Sequence, residues 1–201
     1  MKKLLLFLTL LTLAACSKEE VTLEGTLTLG TGTINDTPLA NHPVLLIPDS
    51  LVAKKLEQYR EGYKQEVEKL KNANLAVGNL LDSLQAVFKK TGDKKVEAYY
   101  KTIADSGAKL KRQLEDYQAA IFVSIARELS KEASADVKTD NQGKFIFKSL
   151  IEGKYVLLTG YTEQKRRSGL LVKPIEIKPG KNTTVLNYRD ADPVLTYILE
   201  D

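Results

Sequence analysis

Tryptophan is absent from this chain of 201 residues, and cysteine and histidine occur only once each. A single cysteine has no partner for a disulfide within the chain. One cysteine and one histidine also cannot supply a zinc cluster of these residues or a histidine-based catalytic triad. The histidine, His42, follows Ala40-Asn41 and precedes Pro43 in a turn-like segment, where we expect a surface imidazole. We therefore expect no catalytic residue, no metal site and no cofactor, in a protein that is not an enzyme.

A strong excess of one charge is also missing. Residues 1–15 contain Lys2 and Lys3 and no acidic residue, and the rest of the chain has 28 basic and 26 acidic residues. Proteins that bind nucleic acid concentrate basic residues on one face of a strongly basic domain. We therefore expect no nucleic-acid partner.

The N-terminus begins with two lysines and an apolar run from Leu4 to Leu13. About ten residues cannot span ~30 Å of hydrocarbon as a helix, but they have the length of the apolar part of a secretory signal peptide. The run ends in Leu13-Ala14-Ala15-Cys16, which resembles the lipobox of bacterial lipoproteins. The resemblance implies a signal peptide at 1–15 and a lipidated N-terminus with a short tether at 16–20. The alternative is a secreted protein in which the thiol is incidental.

Lipidation would fix the protein to a membrane, because each buried acyl CH₂, as in a palmitate chain, contributes about 0.8 kcal/mol of membrane affinity. Ser17 stands where an aspartate would signal retention in the inner membrane of enteric-type Gram-negative bacteria. The resemblance thus implies a lipid-anchored protein of the bacterial cell envelope, with the outer membrane favoured in a Gram-negative host.

Strand-like alternation is found at both ends of the remaining chain. The segment 21–47 is rich in threonine and valine and ends in the apolar run Pro43 to Pro48. From Asp136 onward, short apolar runs separated by turn residues predict several more strands. Asp192-Pro193 is a typical helix start, so we predict a short terminal helix over Val194 to Leu199.

Between these two β segments, apolar residues recur every three or four positions over about eighty residues, as in a coiled coil. The break at Thr91-Gly92-Asp93 predicts two antiparallel helices, each about 55 Å long. The first seam is Val52, Leu56, Tyr59, Tyr63, Val67, Leu70, Asn74, Val77, Leu81, Leu84 and Phe88, and the second is Val96, Tyr100, Ile103, Gly107, Leu110, Leu114, Tyr117, Ile121, Ile125 and Leu129.

Four positions in the predicted hairpin have specific roles. Asn74 lies on the seam among apolar neighbours, where a polar residue often fixes the register of two helices. Gly78 and Gly107 are at similar distances from the turn, so we expect them to face each other and let the helices approach closely, or else to give the arm a flexible point. Tyr99 lies off the main seam and is the best candidate for an exposed contact.

The two β segments together resemble one family. Thr139-Asp140-Asn141-Gln142-Gly143-Lys144-Phe145-Ile146-Phe147, followed by Leu150 to Leu157, is similar to the T-D-x-x-G-x-F-x-F…L-x-x-G-x-Y-x-L signature of carboxypeptidase regulatory-like domains. Pro38-Leu39-Ala40 and Val44-Leu45-Leu46 match the upstream half of that pattern. The resemblance implies an antiparallel β-sandwich of the transthyretin-like or Cna-B type, with Phe145 and Phe147 on its inner face.

The predicted fold class is therefore α+β, a β-sandwich with a long two-helix coiled-coil insertion. We assign 21–50 and 134–201 to one split sandwich domain and 51–133 to the inserted hairpin. An insertion whose ends lie side by side costs little closure entropy. The alternative, two separate β domains joined by a helical linker, would leave long unpaired strand edges.

Two functions remain open at this stage. In the first, the anchored protein is a non-enzymatic interaction or structural module whose hairpin binds a protein partner, a second copy of the chain included. In the second, the sandwich itself binds carbohydrate or a cell-wall polymer, an analogy at the level of the fold that the missing tryptophan weakens.

Overall fold

The computed structural model describes residues 20–30, 36–163 and 167–198. Two long helices interrupt a set of strands that form two sheets. The helices are α1 (Asp49–Thr91) and α2 (Lys94–Leu129). The strands are β1 (Thr22–Leu29), β2 (Thr37–Pro38), β3 (Pro43–Pro48), β4 (Ala135–Lys138), β5 (Lys144–Phe147), β6 (Gly153–Glu163), β7 (Arg167–Ile177), β8 (Lys181–Leu186) and β9 (Ala191–Ile198).

The larger sheet has the strand order β4-β3-β6-β7-β9 and is antiparallel throughout. In the smaller sheet β1 pairs antiparallel with β5 and, at its end, with β2. On its other side β1 pairs parallel with β8, from Thr22 opposite Lys181 to Leu27 opposite Leu186. This single parallel pair brings the two ends of the β segments together and places β1 between β5 and β8.

The larger sheet is buried on both faces, and residues alternate between two separate cores. In β3, Val44 and Leu46 face the smaller sheet, whereas Leu45 and Ile47 face the helices. The continuous apolar run of this strand is explained by that position, because a strand covered on both faces has no solvent side. The layers are therefore helices, larger sheet and smaller sheet.

The core between the sheets contains Phe145 and Phe147, whose rings meet edge to face with centroids 5.8 Å apart. Both are almost fully buried, as the sequence predicts for an inner face. The turn before β5 uses Gly143 at φ 72°, and Asp140 closes it by accepting hydrogen bonds from the N–H groups of Gln142 and Lys144. The turn chemistry read from the sequence thus sets the strand that carries the two phenylalanines.

The helical hairpin turns where the sequence breaks. Gly92 adopts the left-handed conformation at φ 62° and its N–H bonds to the carbonyl of Phe88, which ends α1. The Asp93 side chain accepts from the N–H of Lys95, which caps α2. With 43 residues, α1 is about 65 Å long at 1.5 Å per residue.

The prediction of a terminal helix after Asp192 is wrong, because this segment belongs to β9. The capping contacts do form, since Asp192 Oδ1 accepts from the N–H groups of Val194 and Leu195 at 3.0 and 2.9 Å. After this turn, however, Thr196–Ile198 pairs with the free edge of β7 instead of continuing as a helix. The capping signal of Asp192 was therefore correct, but pairing with the edge of β7 determines the conformation of the residues that follow.

The predicted fold class is confirmed: the protein is α+β, a β-sandwich with two long inserted helices. The division of the chain at residues 50 and 134 stays a prediction. Cys16 and the assigned signal peptide lie outside the described residues.

Candidate interaction surface

The base of the hairpin is part of the protein core. The outer face of the larger sheet packs against the first turns of α1 and the last turns of α2. The buried helical side chains in this contact are Val52, Leu56, Tyr63, Phe122, Ile125, Ala126 and Leu129. Because they cover Leu45, Ile47, Val156, Leu158 and Leu170, the hairpin is fixed to the sandwich over several turns.

Helix α2 lies close against the sheet at Gly160 of β6. A Cβ at this position would lie 2.6 Å from the carbonyl oxygen of Phe122 and 3.0 Å from Cα of Val123. Two hydroxyl groups that face each other across β6 and β7 bond to the helix nearby: Thr162 Oγ1 donates to the Ala119 carbonyl at 2.7 Å and Ser168 Oγ to the Gln118 carbonyl at 2.6 Å. The absence of a side chain at Gly160 therefore sets the distance between α2 and the sheet.

A buried ion pair joins α1 to β9. Asp192 is 2% exposed, and its Oδ2 accepts from Nη2 and Nε of Arg60 at 2.7 and 3.0 Å. Burial opposes ionisation of Asp192, but the Arg60 hydrogen bond and the N–H groups of Leu195 and Val194 outweigh it and hold the pKa of Asp192 below its usual value. The same contact raises the pKa of Arg60. Both oxygens of the buried carboxylate are thus satisfied by the chain itself.

The distal hairpin, which we define as residues 64–116, extends beyond this base. None of its residues, all of which the structure describes, is buried. It nevertheless exposes large apolar side chains: Leu75 is 66%, Tyr99 52% and Val87 45% exposed. The predicted exposure of Tyr99 is confirmed. About two thirds of each helix therefore contains no buried residue and leaves apolar surface in water.

The outer face of α1 contains a shallow groove of about 570 Å³. Its lining residues are Lys71, Asn74, Leu75, Gly78, Asn79 and Asp82. Within the described residues, neither Lys71 nor Asp82 has an ion-pair partner. Asp82 is also the only charged residue between positions 72 and 88, in a helix whose other exposed turns are densely charged. We call these six lining residues the α1 groove.

The predicted contact between Gly78 and Gly107 is wrong. A Cβ at Gly107 would lie 2.9 Å from Cγ1 of Val77, so it is Val77 that faces this glycine. A Cβ at Gly78 would meet no atom within 4 Å outside its own turn of the helix. Val77 and Gly107 both belong to the predicted seam, so Gly78, one residue beyond Val77, is turned outward. Asn74 is half-buried at the border of the α1 groove.

The tip of the hairpin is basic. Lys89 and Lys90 end α1, and Lys94 and Lys95 begin α2, all exposed. Beside them Gln85, Phe88, Glu97, Tyr100 and Lys101 line a second groove of about 260 Å³ between the helices. The distal hairpin thus has a basic end and a nearly uncharged flank.

His42 differs from the expected surface imidazole. Its ring is half-buried, and Nε2 donates a hydrogen bond to the Gly160 carbonyl at 2.8 Å. Burial lowers the pKa of His42, against the opposing effect of this hydrogen bond. The ring therefore ties the loop before β3 to the β6 residue against which α2 lies.

Asp190, which precedes β9, is paired within the chain. Asp190 contacts Lys173 at 3.2 Å and accepts from the N–H of Asn187. No group of histidine, cysteine, aspartate and glutamate side chains within the described residues is arranged to hold a metal ion. In the same part of the chain, the helices lack a stretch that is both long and apolar enough to traverse a bilayer.

Sequence reasoning missed the Arg60–Asp192 pair and the buried hydrogen bond from Gln118 to the Tyr63 hydroxyl at 3.2 Å. The partners of the first are 132 residues apart, and no local motif indicates that they pair. Gln118 occupies a position just off the predicted seam, so its burial depends on the sheet beneath it. Only the packing of α1 and α2 on the larger sheet brings these groups together.

No known family profile matches the chain, and no curated protein matches it. A solved Pseudomonas aeruginosa protein, described as a candidate carbohydrate-binding protein, is 12% identical, with a TM-score of 0.37 over 88% of this chain and 93% of its own. The pilus backbone of Streptococcus pneumoniae is 14% identical, with a TM-score of 0.30 over 84% of this chain and 41% of its own. The full-length major pilin of the same organism is 13% identical, with a TM-score of 0.29 over 84% of this chain and 30% of its own.

Proposed function

We propose that the chain is a non-enzymatic interaction module of the bacterial cell envelope, held by a lipidated Cys16, and that the distal hairpin is the arm that binds its protein partner. The observation that carries this proposal is the contrast along the helices. Their base is buried on the larger sheet, whereas the distal hairpin has no buried residue and exposes Leu75, Val87 and Tyr99. Amphipathic helical surfaces are a recurring mode of protein recognition.

The arm is also held firmly in place at its base. The ion pair between Arg60 and Asp192, the hydrogen bonds from Thr162 and Ser168, and the buried side chains of the base all hold the hairpin to the sandwich. A binding surface presented on a fixed element loses less conformational entropy on association than one on a loose loop. A rigid base below an open surface is therefore suited to binding.

The arm is tested by in-cell crosslinking with mass spectrometry on a shortened hairpin. Tyr63 bonds Gln118 and Val77 contacts Gly107, so Val67 and Leu114 lie nearly opposite each other. A short Gly-Ser loop in place of residues 68–113 therefore removes the arm and keeps the base. We expect the shortened protein to remain folded by circular dichroism and to lose partners that the native chain crosslinks. An unchanged set of partners in the shortened protein would contradict the proposal.

The anchor is tested separately by Cys16→Ser. We expect the native chain to incorporate a radiolabelled fatty acid and to fractionate with membranes, and the variant to do neither. Stable anchoring requires acyl chains, and a single chain already gives only marginal binding. A variant that carries none should therefore lose nearly all of its membrane association. Fatty-acid label in the variant would show that Cys16 is not the lipidation site.

Carbohydrate binding by the sandwich is the second candidate. The outer face of the smaller sheet has a groove of about 360 Å³ whose lining includes Thr26 and Thr183 and the exposed side chains of Ile146 and Val185. Hydroxyl and apolar groups side by side suit a sugar. If the shortened protein keeps all its partners and is retained on cell-wall polymer, this function replaces the first.

A further inference from the structure

The α1 groove is symmetric in spacing and complementary in chemistry. Its six residues follow one another at intervals of three, one, three, one and three positions, and this series is the same from either end. From the N-terminal end they are a lysine, an asparagine and a leucine, and from the C-terminal end an aspartate, an asparagine and a glycine. Each residue in one half of the groove thus has a complementary residue at the equivalent position in the other half.

We infer that the α1 groove binds a second copy of the chain, with the two α1 helices antiparallel about a two-fold axis between Ala76 and Val77. In this register Lys71 of each copy faces Asp82 of the other, and Asn74 faces Asn79. Leu75 of each copy enters the space left at Gly78 of the other. A two-fold interface requires such a self-complementary surface. The inference rests on the distal hairpin being the binding arm, and it names the partner.

The exposed groups on this face all gain by the pairing. Leu75 is 66% exposed, the most exposed large hydrophobic residue of the hairpin, and leaves water in the dimer. Gly78 allows close approach of the two helices, because no side chain lies between them. Lys71 and Asp82, which lack ion-pair partners in the described chain, acquire them.

The first test is sedimentation equilibrium of the full chain in mild detergent, with Gly78→Gln and Gly62→Gln. Both glycines lie in α1 and have open space at Cβ, so both changes should raise monomer stability to a similar extent. We expect the native chain and Gly62→Gln to dimerise, and the dissociation constant of Gly78→Gln to rise about 100-fold because the added side chain occupies the site of Leu75. Dimerisation of Gly78→Gln at native affinity would overturn the inference.

The second test fixes the register by charge reversal. We expect Lys71→Asp or Asp82→Lys alone to weaken the dimer about tenfold, since each creates two like-charge contacts across the two-fold axis. The double variant restores both pairs and should recover native affinity. Weakening that is additive in the double variant would contradict the antiparallel register. A native chain that stays monomeric would overturn self-association, whereas the arm itself fails only if the shortened hairpin keeps every crosslinked partner.

Discussion

Replacing Gly160 with alanine should destabilise the protein by about 3 kcal/mol, at the upper end of the cost of overpacking a core. The added methyl would lie 2.6 Å from the carbonyl oxygen of Phe122, and its nearest neighbours are all backbone atoms of α2. Since no flexible side chain can move aside, the helix must shift off the sheet and weaken the contacts of the base. Urea denaturation followed by circular dichroism gives the change in unfolding free energy.

Gly62→Ala is the matched control for this change. A Cβ at Gly62, on the exposed face of α1, meets nothing within 4 Å. Alanine is favoured over glycine by about 1 kcal/mol inside a helix, so this variant should be more stable than the native chain. The same added methyl should therefore have opposite effects at the two positions. A Gly160→Ala protein of native stability would show that α2 does not press against β6.

Removing the Arg60 guanidinium by Arg60→Ala should cost about 2–3 kcal/mol at neutral pH, because it leaves the carboxylate of Asp192 buried without its counter-ion. The Arg60 side chain is 29% exposed and that of Asp192 only 1%. Because the pair is only partly buried, we expect its loss to cost less than the loss of a fully buried pair. Thermal and urea unfolding of both proteins measure the loss. Lys101→Ala, which breaks the exposed pair with Glu97, should change stability by about 0.5 kcal/mol or less.

The pH dependence distinguishes the ion pair from simple packing. The pKa of Asp192 is lowered in the folded protein, so its ionisation adds stability above the unfolded pKa of about 3.9. That stability is lost as the pH falls through the lower folded value. In Arg60→Ala the largest remaining influence is burial, which raises the pKa of Asp192. The difference in unfolding free energy between the two proteins should therefore be largest at neutral pH and become smaller in acid. A difference that does not depend on pH would show that the cost comes from the lost packing of the arginine side chain.

Local sequence signals identified the hairpin, its turn and the inner-facing phenylalanines. The helical seam repeats over many turns, and Gly92 with Asp93 supplies an end and a start at adjacent positions. Such signals depend on a few neighbouring residues, so they can be read without the fold. The fold class was predicted from these signals together with the family resemblance of the two β segments.

The contacts that hold the hairpin could not be predicted in the same way. Pairing of Arg60 with Asp192 and the approach of Gly160 to Phe122 depend on how the helices lie on the sheet. The candidate surface is therefore a product of packing, although each of its residues is visible in the sequence.

The junction between strand and helix determines how the hairpin transmits force. Pro48 is the last residue of β3 and Asp49 the first of α1, and a single 3₁₀ turn at Ser130–Glu132 returns α2 toward β4, the strand that pairs with β3. The β3–α1 junction has no linker residue and the α2–β4 junction has only five residues, so little chain is available to absorb a rotation. A sideways load at the tip therefore acts on the larger sheet as torque, with the distal hairpin as a lever roughly 40 Å long. The hairpin is therefore attached as a strut, so a load at its tip rotates the larger sheet instead of swinging the hairpin freely around it.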